Sequence, residues 1–136
     1  MYKYYIWAML MVFLVGGQAP AVANVPAENP EKALLLCLQT YPGTSSEAQC
    51  YREQSLALEK EVARLYLALG GDRNLALKHS HLLWQHYLAS ERLYLEQAFF
   101  VPGSQSEWLK ARATYLLFKT RAEALQHYLD FVQVHQ

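Results

Sequence analysis

Charge imbalance, cysteine-pair chemistry and a bilayer-length apolar run are all missing from this chain. Lys+Arg and Asp+Glu both number 12 in 136 residues. The surplus of cations that releases counterions from a phosphate backbone is therefore absent, which argues against a nucleic-acid binder held by charge. The two cysteines are not spaced Cys-x-x-Cys, so a thiol oxidoreductase motif is excluded. The apolar run from Tyr4 to Val15 covers 12 residues, whereas a membrane-spanning helix takes roughly 20. No segment alternates apolar and polar residues with a period of two, and there is no internal repeat or low-complexity tract. The length accommodates a single domain.

What is present begins with an address. Lys3 precedes the apolar run, Gly16-Gly17 follows it, and Ala21-Val22-Ala23 supplies a small-x-small cleavage pattern. Residues 1–23 read as a cleavable signal peptide, and the protein as periplasmic or secreted. Cleavage removes one lysine and leaves 11 Lys+Arg against 12 Asp+Glu, a net charge of −1. In an oxidising compartment Cys37 and Cys50 read first as a disulfide, with two buried thiols or an intermolecular bridge as the alternatives. Such a bridge encloses 12 residues, and closing a loop of that size stabilises by roughly 3 kcal/mol.

Residues 24–30 carry two prolines and no period, which predicts a flexible leader. The domain proper, 31–136, reads as all-helical. A short helix is predicted over Glu31–Thr40, stopped by Pro42-Gly43. Thr44-Ser45-Ser46-Glu47 then offers N-cap side chains to a helix reaching Leu69, with Leu58, Val62, Leu65, Tyr66 and Leu69 at steps of three and four. Gly70-Gly71 ends it. The next helix starts near Asp72–Asn74 and runs to about Phe100, with Leu77, Trp84, Leu88 and Leu95 as its stripe, flanked by Leu75, Leu82 and Leu93. After Val101-Pro102-Gly103-Ser104 a last helix runs from about Gln105 to Val134. Its seam is Trp108, Ala111, Tyr115, Phe118, Ala122, Leu125, Leu129 and Val132. Two tight connections between three long helices predict an up-down bundle, with the short N-terminal helix tied on by the disulfide.

Catalytic constellations are not expected. His79, His81 and His86 are offset by two and five residues, which puts them on different faces of a helix, while helical metal pairs use steps of three or four. Glu59 with Glu61, and Glu91 with Glu96, do not form facing dyads. Ser80 sits between two histidines without a nucleophile elbow or an oxyanion loop. No enzyme activity, metal or cofactor is predicted. The 10 Tyr and 3 Trp point instead to packing and interfaces. Trp84, Tyr87, Tyr115 and Phe118 are expected in the core. Tyr94, Phe99, Phe100 and Val101 crowd the end of the third helix beside the Pro-Gly turn, and with Glu107 they form the candidate partner-binding surface.

From Cys37 to Tyr128 the order of features resembles the lysozyme-inhibitor LprI-like family of small secreted helical domains. Two cysteines about a dozen residues apart are followed by Glu59 and by Val62-Ala63-Arg64-Leu65-Tyr66, where the family has Leu-Asn-x-x-Tyr. Trp84 and Tyr87 keep the spacing of the family's Gln-x-x-Trp-x-x-Tyr signature. Gly103-Ser104 matches its Gly-Ser loop, and Thr120, Arg121 and Leu125 match its closing region. Arg92 and Ala113 stand where two later family cysteines fall, so that pair is lost together, and the resemblance implies Cys37–Cys50 as the retained bridge. It further implies an envelope protein that binds lysozyme and blocks its muramidase activity. The rival expectation is a periplasmic adaptor or chaperone-like module without inhibitory action.

Overall fold

Each helix end is set by a local feature of the sequence. The computed structural model describes residues 29–135, which form four α-helices and one short 3-10 turn, with no strand among the described residues. The signal-peptide reading of 1–23 and the leader residues up to 28 lie outside the described residues. Helix α1 spans Pro30–Thr40. The Asn29 side chain accepts the Glu31 N–H at 3.0 Å, and Pro30 occupies the first turn, where its missing N–H costs nothing.

Helix α2 spans Thr44–Ala68 and begins three residues before Glu47. Thr44, Ser45 and Ser46 are therefore inside the helix rather than capping it. Gly43 takes the cap position at φ 115°, a conformation that favours glycine, and its N–H donates to Glu47 Oε1 at 3.4 Å. The Thr44 hydroxyl, freed from capping, donates to Ser104 Oγ at 2.9 Å. The Cys37–Cys50 disulfide joins α1 to α2 with a Cα–Cα distance of 5.8 Å, as the sequence predicts. Lys119 pairs with Glu31 and ties the same short helix to the last one.

Gly70 adopts the left-handed conformation at φ 108° and ends α2. The 3-10 turn Gly71–Arg73 then reverses the chain into α3, Leu75–Ala98. Asn74 caps α3 by accepting the Leu77 N–H at 3.1 Å. Asn74→Ala is expected to destabilise the protein by about 1 kcal/mol, read by urea unfolding, with faster hydrogen exchange confined to the first turn of α3. After the turn at Pro102-Gly103, α4 runs over Ser104–Val134.

Short connections make α3 antiparallel to both long neighbours, so α2 and α4 run parallel, which gives the up-down bundle. Their shared starting end is fixed by the Thr44–Ser104 bond and by Trp108 Nε1 donating to Glu47 Oε2 at 2.9 Å. The core lies mainly between α2 and α4: Leu58, Val62 and Leu65 meet Tyr115, Phe118, Ala122 and Leu125. The buried Ser55 hydroxyl donates to the Tyr51 carbonyl at 2.8 Å, so its burial leaves no orphan donor. Helix α3 is less deeply seated. It buries Leu88 and Leu95, while Leu77 and Trp84 of the same stripe are half-buried.

Tyr87 departs from expectation. It is 52% exposed rather than core. Tyr87 directly precedes Leu88, and the 100° step between helical neighbours turns it away from the α2–α4 seam. At the far end of the α4 seam Val132 is also exposed.

Candidate functional site

Two surfaces bring the sequence-predicted residues together. The first is the α3–α4 corner. Tyr94 on α3 and Phe100 and Val101 in the turn stand open to solvent, the last two 76% and 62% exposed. Phe99 is half-buried and donates its N–H to the Leu95 carbonyl at 3.0 Å, which closes α3. The Ser106 hydroxyl, at the start of α4, lies 2.6 Å from the Val101 carbonyl and braces the turn beneath its apolar tip. Glu107 is engaged within the molecule. Lys110 holds it at 2.7 Å and Arg52 at 3.7 Å, and the Lys110 hydrogen bond keeps its carboxyl below the usual range. Lys110 also reaches Glu96 at 3.0 Å and so fastens the end of α3 to α4.

The second surface is a groove of about 470 Å³ between α3 and α4. Trp84, Tyr87 and Glu91 line one wall, and Leu117, Thr120 and Arg121 the other. Trp84, Tyr87, Thr120 and Arg121, four of the residues on which the suggested resemblance rests, thus converge here. Tyr66 is linked to them through an aromatic column. Its ring stacks on His81 at 4.3 Å, His81 on Trp84 at 5.6 Å, and Trp84 meets Phe118 edge-on at 5.7 Å. The Tyr66 hydroxyl donates to Asp72 at 2.7 Å, which anchors the column to the turn before α3. Leu125 is buried in the core and does not line the groove, while Glu59 lies exposed on α2 and Gly103 precedes α4.

The groove holds a cation with no ion-pair partner among the described residues. The Arg121 guanidinium lies 5.6 Å from the Trp84 ring centroid, and its Nε and Nη2 are buried with no acceptor among the described residues. Burial pushes its pKa down, and burial and the Arg121 charge together push that of His81 down. The arrangement suits recognition of a carboxylate against an aromatic wall. It offers no nucleophile paired with a base. Leu116 and Leu117 have no place in the expected site, and Glu91 enters it only as half of a non-facing acid pair. For Leu117 the available signal is a second stripe on α4, in which Ala113, Leu117, Arg121 and Ala124 recur at steps of three and four beside the main seam; Glu91 and Leu116 carry no such signal.

Comparison of the chain with protein-family models, with curated proteins and with solved structures finds no match.

Proposed function

We propose that this chain is an exported helical protein-binding module that presents the α3–α4 corner to a protein partner. The observation that carries this reading is the pair Phe100 and Val101, two consecutive large apolar side chains held open to solvent on a turn braced by Ser106. Water contact with such a pair is unfavourable, and an apolar tip on a rigid support fits the anchor of an interface. The Cys37–Cys50 bridge supports export, because disulfides persist in oxidising compartments. No helix among the described residues is long and apolar enough to cross a membrane.

The LprI-like pattern makes lysozyme the first partner to test. The mature net charge of −1 provides little steering toward a cationic enzyme, so inhibition would depend on the apolar tip entering the cleft. The expected result is a dose-dependent loss of cell-wall hydrolysis by lysozyme at micromolar protein, abolished by the double substitution Phe100→Asp, Val101→Asp. If hydrolysis is untouched, lysozyme is not the partner. The adaptor reading then predicts an envelope protein retained by the wild-type chain and released by the corner variant. Retention indifferent to that variant would sink the corner as the binding surface.

A further inference from the structure

Arg121 and Glu91 line one groove, both are half-buried, and neither forms an ion pair among the described residues. The Arg121 Nε and Nη2 donors are also without an acceptor there. Arg121 sits at the level of Trp84. Trp84 and Glu91 are seven residues apart on α3, about 10 Å along its axis, so Arg121 and Glu91 enter the groove at different levels, and the groove continues past Glu91 to Leu95. Buried donors such as the two on Arg121 are ordinarily satisfied, because removing them from water without a partner is costly.

The spacing has a self-complementary solution. A two-fold axis through the groove midway between the charges, at the level of Tyr87, turns a second copy end for end. Each Arg121 then faces Glu91 of the other copy, and each Glu91 faces Arg121. A contact that uses the same patch on both subunits is the commonest kind of homo-oligomeric interface. The centre of the patch is apolar. Tyr87 and Leu116 are exposed there, with the half-buried Leu117 beside them, and an apolar centre flanked by charge is the usual anatomy of such a contact.

We infer that the α3–α4 groove is the docking face for a second copy of this chain, packed antiparallel and held by two reciprocal Arg121–Glu91 ion pairs. This goes beyond the proposed function and uses a face distinct from the corner, so the two can fail separately.

Sedimentation equilibrium of the full chain, over a concentration series, tests the pairing. The wild-type protein is expected to form a dimer. Glu91→Arg places four cations at the interface and is expected to weaken self-association by roughly 30-fold or more, as is Arg121→Glu, which gathers four anions there. Mixing the two single variants restores both attractive pairs, so a heterodimer is expected, and the double variant E91R/R121E is expected to dimerise on its own. Circular dichroism melts establish that each variant is folded, and Glu91→Arg, a change at a position without partners in the monomer, keeps the test valid if Arg121→Glu is not. A wild-type monomer throughout the series would overturn the inference. So would a dimer indifferent to Glu91→Arg, or folded single variants that fail to associate when mixed.

Discussion

Truncating Phe118 to alanine is expected to cost about 4 kcal/mol of folding stability. Phe118 is 1% exposed, at the point where all three long helices meet. Leu65 and Leu125 lie in the same cluster, Trp84 meets its ring edge-on at 5.7 Å, and the Arg92 guanidinium lies 5.4 Å from its centroid. Alanine there leaves a cavity that two helices cannot close without breaking the ridge of contacts on either side. The lost transfer energy and the cavity therefore add. Urea unfolding should show a lower midpoint with an unchanged slope. Phe131→Ala, on the same helix but exposed, is expected to change stability by about 0.5 kcal/mol or less. Equal effects at the two positions would contradict the packing.

Reduction of the Cys37–Cys50 bridge, or its replacement by two serines, is expected to cost about 3 kcal/mol. The bridge spans 13 positions and restricts the unfolded chain. Its structural effect is concentrated in α1. That helix has 11 residues and one buried side chain, Leu34, too little to hold a helix that is marginal in isolation. Beyond the bridge, it is fastened by the Lys119–Glu31 pair and by packing of Leu34 and Leu38. Without the bridge, hydrogen exchange should quicken throughout residues 30–40 while the α2–α4 core stays protected. Melting unchanged by complete reduction would mean that packing alone retains α1.

Much of the architecture was legible because helix punctuation is local. Pro42-Gly43, Gly70-Gly71 and Pro102-Gly103 mark the breaks, and the three- and four-residue steps of α4 name its buried side. Ala111, Tyr115, Phe118, Ala122 and Leu125 are all buried as the seam predicts. The start of α2 departs from the expected hydroxyl cap for an equally local reason. A hydroxyl near a helix start fits the cap, but Gly43 alone takes the extended positive φ that lets the helix begin at Thr44. Helix α3 was harder. Its leucines point in nearly every direction, with Leu88 and Leu95 buried and Leu75, Leu83 and Leu93 open to solvent, so the pattern contained several stripes and no criterion for choosing among them. Tyr87 was assigned to the wrong one.

The candidate surfaces divide in the same way. Exposure at the corner was foreseeable, since a Pro-Gly turn cannot bury Phe99, Phe100 and Val101 all at once. The groove was not, because it exists only where α3 lies against α4. Four helices and the three breaks between them are legible in the residues alone, because each break follows from local backbone preferences, and the short loop between Cys37 and Cys50 favours their pairing. Tertiary structure alone decided that Arg121 lies over Trp84 without an acceptor, that Glu91 shares its groove, and that Glu107 is held by Lys110 and Arg52. Whether a charge is paired depends on distances between different helices, and periodicity along one helix carries no information about its neighbour's rotation.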